Sequence, residues 1–169
     1  LSEEELENKI NSSREKLFAA REKRVHPHKD DKVLTDWNGL MIAAFAKAGR
    51  AFNDPEYTKA AGRAADFILT EMRAPDGALL HSYRNGKAGT RAHVDDYAFL
   101  TWGLIELYES SFNIKYLESA LEINDGLINN FWDEKDGGFY FTSHDGEKLL
   151  VRDKEIYDGA IPSGNSIAV

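Results

Sequence analysis

A polar cluster stands directly ahead of an almost wholly apolar run at Thr35-Asp36-Trp37-Asn38-Gly39-Leu40-Met41-Ile42-Ala43-Ala44-Phe45. The pattern returns 60 residues later, from Asp36 to Asp96, as Val94-Asp95-Asp96-Tyr97-Ala98-Phe99-Leu100. A third version begins at Ile161-Pro162-Ser163-Gly164-Asn165-Ser166. The first two runs continue as helices that are apolar nearly all round, predicted over about 37–52 and 97–108 and expected to be buried on most sides. Each is followed by an amphipathic segment. Over 55–73, Tyr57, Ala60, Ala61, Ala64, Ile68 and Met72 share one face, and over 115–132 Leu117, Ala120, Leu121, Leu127, Ile128 and Phe131 do the same. Pro55 suits a first helical position, and Ser163 is a good N-cap for a third apolar helix.

The connections repeat as well. Asp76-Gly77 opens one turn and Asp136-Gly137-Gly138 stands 60 residues further on. Asn85-Gly86 after the weakly alternating 78–83 predicts a β-hairpin. Phe139-Tyr140-Phe141-Thr142, a turn at His144-Asp145-Gly146 and Leu149-Leu150-Val151 predict a second. Ahead of all this, residues 2–24 read as a helix with a Ser2/Glu5 capping box and a thin apolar stripe of Leu6, Ile10, Leu17 and Phe18. Pro27 closes it within a polar loop.

Buried helix, amphipathic helix, hairpin: the unit is about 60 residues long. Fully buried inner helices alternating with half-buried outer ones are what an α/α toroid requires, and about six such units close a ring. The chain therefore reads as all-α, an incomplete α/α toroid of helical hairpins with short β-hairpins in the loops. Its expected divisions are a leading helix and loop (1–35), a first repeat (36–93), a second (94–157) and the start of a third (158–169). In such a stack the inner helices run parallel, so Asp36-Trp37-Asn38, Asp95-Asp96-Tyr97 and Ser163-Gly164-Asn165 are expected at one end, rimmed by the hairpins.

Composition narrows the function classes. At 42% hydrophobic and 30% charged the chain is an ordinary globular sequence. A net charge of −8 argues against nucleic acid or anionic membrane as a partner. No apolar run reaches the length of a membrane span. With no cysteine there is no disulfide, thiolate metal site or cysteine nucleophile. The acidic N-terminus is unlike a signal peptide, and a cytoplasmic location is expected. The chain lacks an initiator Met and stops inside an apolar run, as a piece of a longer protein would.

Lys16-Leu17, Ala20-Arg21-Glu22-Lys23-Arg24 and the long motif Pro27-His28-Lys29-Asp30-Asp31-Lys32-Val33-Leu34-Thr35-Asp36-Trp37-Asn38-Gly39-Leu40-Met41 closely resemble the spermatogenesis-associated protein 20 family. Asp95-Asp96-Tyr97-Ala98-Phe99 and Asp158-Gly159-Ala160-Ile161-Pro162-Ser163-Gly164-Asn165-Ser166 are similar to later motifs of that family. The resemblance implies an N-terminal thioredoxin-like domain followed by a toroid of the six-hairpin glycosidase class, with this chain as part of the toroid. That thioredoxin-like domain is then an expected partner within the full-length protein. More distant toroids include N-acylglucosamine epimerases and glycoside hydrolases, so carbohydrate chemistry enters by analogy of fold.

The candidate catalytic residues are Asp36, Asp95, Asp96 and His93. Two carboxylates across a pocket can serve as acid and base on a glycosidic bond, and close carboxylates raise one another's pKa. Asp36 is equally suited to cap its helix. Either aspartate of the 95–96 pair can cap and leave the other free. His93, with His81, flanks the first hairpin and suits proton abstraction beside a carbonyl. The candidate substrate-binding residues are Trp37, Asn38, His81, Arg84, Tyr97, Ser163 and Asn165. Trp37 and Tyr97 would stack on a sugar face or pack between helices. Asn38 and Asn165 would bind hydroxyls or tie loops together. Arg84, and Arg91 nearby, would bind an anionic group or face solvent. His26-Pro27-His28 beside Asp30-Asp31 has no metal-ligand spacing, so no metal site is assigned, and no cofactor is expected. No phosphate loop, dinucleotide fingerprint, nucleophile elbow or HExxH motif occurs.

Two readings remain. One is a carbohydrate-active or related small-molecule enzyme, of hydrolase or epimerase type, taking a sugar or other small ligand. The other is a non-catalytic binding or docking toroid partnering the thioredoxin-like domain. They are expected to part on Asp96→Asn, which should stop an enzyme while leaving its fold intact.

Overall fold

Ser2 Oγ accepts from Glu5 N at 3.2 Å and Glu5 Oε2 accepts from Ser2 N at 2.9 Å, so the predicted capping box starts helix α1 (Glu3–Arg21). The computed structural model describes residues 1–146 and 149–169, in two units, Leu1–Asp31 and Lys32–Val169. In the first unit α1 buries no residue, and its apolar stripe of Leu6, Ile10, Leu17 and Phe18 is exposed.

The second unit runs β1 (Val33–Leu34), α2 (Thr35–Phe52), α3 (Pro55–Glu71), β2 (Ser82–Arg84), β3 (Lys87–Ala88), α4 (Val94–Ser111), α5 (Ile114–Phe131) and α6 (Gly164–Ile167). The helices follow the predicted order. Both hairpin corners are built alike. α2 ends on left-handed Asn53 (φ 51°) and the Asp54 side chain caps α3, while α4 ends on left-handed Phe112 (φ 52°) and Asn113 caps α5. Each pair of residues reverses the chain within one residue of the helix end.

α2 packs along α4, with α3 behind α2 and α5 behind α4. The inner pair is parallel. The start of α2 meets the start of α4 at Asp36–Asp96, and their far ends meet where Arg50 pairs with Glu106 and Glu109. Two glycines allow the close approach. A Cβ on Gly39 would lie 2.6 Å from Leu100 N, and one on Gly103 would lie 2.6 Å from Gly39 O. The core between the layers holds Ile42, Ala46, Ala61, Ala65, Ile68, Met72, Leu100, Leu104, Leu107, Tyr116, Ile123, Leu127 and Phe131.

Three expectations are corrected. α2 is not buried on most sides: Trp37, Met41 and Ala44, spaced at helical intervals, leave an apolar stripe exposed. Tyr116, Ala120, Ile123, Leu127 and Phe131 form the buried face of α5, which leaves Leu121 and Ile128 outside. Hydropathy alone could not tell these faces apart, because both are apolar. Third, among the described residues the second loop forms no hairpin ladder. It is held instead by a single Trp132–Phe139 bridge, by Phe141 N donating to Asp153 O, and by Arg152 donating to Thr142 O. The first hairpin does form, with Asn85 and Gly86 both at positive φ, as a tight type I′-like turn needs. β1 adds an unforeseen third strand, Val33 opposite Tyr83 and Leu34 opposite Ser82.

Candidate functional site

The first backbone N–H groups of a helix need acceptors from outside it. α2 has no side-chain cap, since Leu34 holds the N-cap position. Its donors are satisfied one by one. Thr35 N donates to His81 O (2.9 Å), Asp36 N to Asp96 Oδ1 (2.9 Å), and Trp37 N to Asp36 Oδ1 (2.7 Å). A carboxylate of α4 thus closes the start of α2. The other oxygen, Asp96 Oδ2, accepts from His93 N at 2.8 Å and closes the start of α4 itself.

His81 completes the arrangement. Its backbone is pinned on both sides, by Thr35 N donating to its carbonyl and by its own N–H donating to Thr90 O at 2.8 Å. Its Nδ1 lies 3.0 Å from each oxygen of Asp96, so the Nδ1–H tautomer donates to the carboxylate and Nε2 is left for other work. The ring is 27% exposed, whereas Asp96 is 1% exposed. The His93 ring meets His81 edge-on, with centroids 5.3 Å apart, and stacks on Phe141 at 4.7 Å.

Burial opposes the charge on Asp96, but hydrogen bonds from His81 and His93 outweigh it and hold the carboxyl below the ordinary aspartate range. His81 is pushed up, chiefly by its hydrogen bond to Asp96. Asp36 is pushed up by burial and then by the charge of Asp96. Asp95 is also raised by burial, with the Gly164 amide offsetting part of the effect. Its Oδ1 is buried without a well-formed hydrogen bond among the described residues.

These shifts fix a sign. A raised His81 contributes stability that is complete below its unfolded value of about 6.5 and is lost as pH rises through the folded value. The depressed Asp96 contributes stability present above about 3.9 and lost as pH falls. Asp36 and Asp95 pull in the same direction as His81 but begin to titrate near 3.9. Denaturant midpoints measured across pH should therefore decline above about pH 6.5. His81→Asn, whose amide can still donate to Asp96, should remove that decline. An unchanged profile in the variant would refute the assignment.

The structure brings Asp36, Asp95, Asp96, His81 and His93 to one mouth. Gly164 opens α6 at the same end, where its Cβ would lie 2.3 Å from Asp95 Oδ1. The other candidates stand elsewhere or are occupied. Trp37 is 63% exposed on the outer stripe of α2. Asn38 Nδ2 donates to Leu34 O at 2.7 Å. Tyr97, unlike Trp37, is buried: its ring packs on Phe131 and its hydroxyl accepts from Leu79 N at 3.1 Å. Ser163 Oγ accepts from Ser166 N as the cap of α6. The buried Asn165 amide clamps Phe139, accepting from its N–H and donating to its carbonyl, and also donates to Glu155 O. Arg84 lies on β2. Asp36 does not cap its helix through its side chain in the expected way; it follows Thr35 as the second residue of α2. A cavity of about 420 Å³ adjoins the mouth, lined by Thr90, Arg91, Ala92, His93, Thr142 and Ser143, with Gly146 and Leu149. Arg91 on its wall is tied to Asp76 and Asp145. Sequence reasoning did not join His81 to Asp96, although the pair lies 15 residues apart on either side of the Asn85-Gly86 turn.

Parallel inner helices with outer helices packed behind them form part of an α/α toroid. Solved structures with this fold include cellobiose 2-epimerase from Spirochaeta thermophila (TM-score 0.62, 22% identity, covering 70% of this chain and 31% of that one). The GH76 α-mannanase from Bacteroides thetaiotaomicron is another (TM-score 0.59, 20% identity, 76% and 36%), as is a D-mannose isomerase (TM-score 0.61, 18% identity, 70% and 31%). More particularly, the chain resembles part of spermatogenesis-associated protein 20: it is 37% identical to the human protein over 169 residues, 94% of the chain. An uncharacterized protein of Caenorhabditis elegans is 34% identical over 99% of the chain. The chain spans only 22% and 24% of the lengths of these two relatives. No family model matches it. Among the described residues no helix is long and apolar enough to cross a membrane.

Proposed function

We propose that the inner-helix mouth is the acid/base site of a carbohydrate-active or related small-molecule enzyme. The observation that carries this reading is the His81–Asp96 pair, bonded at 3.0 Å beside Asp36 at the helix N-termini. Asp96 is engaged on both oxygens by Asp36 N, His93 N and His81, so it positions groups and does not itself exchange protons with a substrate. That weighs against two-carboxylate hydrolysis through Asp96 and favours proton transfer at carbon or oxygen, of the epimerase or isomerase kind. His81 presents Nε2, and Asp36, whose carboxyl is pushed up by burial and by the charge of Asp96, supplies the second group. A cavity of about 420 Å³, within the usual range for a small-molecule pocket, meets the mouth at His93, with His81 and Asp36 outside its lining. Sugar epimerases and an isomerase are among the structurally similar proteins, which agrees with this chemistry.

The test is a screen of free mono- and disaccharides in deuterated water with the full protein, read by proton exchange at the sugar carbons. His81→Asn and Asp36→Asn should each lower the rate by about 10²–10⁴ while the melting temperature stays near wild type. A second reading, a docking toroid partnering the thioredoxin-like domain, draws on the exposed stripe of Trp37 and Met41. It is favoured if both variants keep full cellular function while Trp37→Glu/Met41→Glu abolishes it.

A further inference from the structure

We propose that His81, His93 and Asp96 form a binding site for a divalent first-row transition cation such as Zn²⁺. One potential ligand atom from each residue lies within 4.8 Å of the others. His81 Nδ1 is 3.0 Å from the Asp96 oxygens, and His93 Nδ1 is 3.7 Å from Oδ2. Zn–N and Zn–O bonds of about 2.0–2.2 Å place neighbouring ligands roughly 3–4 Å apart, which brackets both distances. The ion would take the place of the hydrogen bond between His81 Nδ1 and the carboxylate.

The surroundings hold these ligands still, as outer contacts do at metal centres. Asp36 N and His93 N fix the two oxygens of Asp96. Phe141 stacks on the His93 ring at an interplanar angle of 17°. The His81 backbone is pinned by Thr35 and Thr90. Asp95 Oδ1, buried without a well-formed hydrogen bond, adds negative charge at the same mouth. Two imidazoles and one carboxylate suit Zn²⁺ and its neighbours, whereas Mg²⁺ prefers an all-oxygen shell. The site goes beyond the acid/base reading and does not rest on it, because binding is measured without substrate.

Calorimetric titration of the tag-free full chain should show one equivalent of Zn²⁺ bound and no comparable uptake of Mg²⁺. His81→Asn, and His93→Phe, which keeps the stack on Phe141, should each weaken Zn²⁺ by at least about tenfold. Replacing the remaining histidines, His26, His28 and His144, with Asn should leave affinity unchanged. Imidazole NMR resonances of His81 and His93 in the unmodified chain should shift on adding Zn²⁺, which decides the matter even if a variant fails to fold. Absence of binding, binding that survives both site variants, or shifts confined to the other three histidines would overturn the proposal.

Discussion

Asp96→Ala should destabilise the second unit by about 3–5 kcal/mol, a large share of the 5–15 kcal/mol that holds most domains together. The variant strands three donors at once: Asp36 N, His93 N and His81 Nδ1. The first two belong to helix starts with no other acceptor among the described residues, so α2 and α4 both lose their anchorage. Asp96→Asn is isosteric but not harmless. Its oxygen can serve only one of the two backbone donors, and its amide must face the other, for a cost on the order of 2 kcal/mol. Urea unfolding followed by circular dichroism measures both, provided the slope of the transition is unchanged. A loss below about 1 kcal/mol for Asp96→Ala, the size of an average substitution, would show that the carboxylate is dispensable. Loss of activity on Asp96→Asn therefore cannot separate catalysis from folding, and the functional test moves to His81 and Asp36.

Gly39→Ala and Gly103→Ala should each cost about 1–3 kcal/mol or more. Helix propensity alone predicts the opposite sign, a gain of roughly 1 kcal/mol for replacing glycine in a helix interior. Packing decides against it. The new methyl of Gly39→Ala meets Leu100 N and Phe99 C, both at 2.6 Å, and that of Gly103→Ala meets Gly39 O at 2.6 Å. These are backbone atoms, which cannot rotate away, so α2 and α4 must separate. The double variant should cost less than the sum, because one separation makes room for both methyls. Thermal melts of the four proteins give the cycle. Stabilisation by either single change would disprove the close approach.

Much of the fold was legible because it is written in local patterns. The 60-residue return of Asp36 at Asp96, the Ser2/Glu5 box, Pro55 and Asn85-Gly86 each act through neighbours in sequence. The mouth was legible in outline, because parallel helices joined by long returns must begin at one end. Its inner wiring was not. Asp96 was read as one of two interchangeable aspartates, while for Ser163 and Asn165 the sequence offered both a ligand role and the cap and loop tie that the structure shows.

Which aspartate turns inward depends on how α4 is rotated against α2, and the Gly39 and Gly103 contacts set that rotation. One step along the helix separates Asp95, whose buried Oδ1 has no well-formed hydrogen bond among the described residues, from Asp96, engaged on both oxygens. Likewise, residues 33–34 become a strand only because β2 lies beside them. Periodicity and turn chemistry settle the number, order and direction of the helices. The pairing of His81 with Asp96, and with it the chemistry available at the mouth, is decided in three dimensions, where residues from separate elements meet across distances no local pattern encodes.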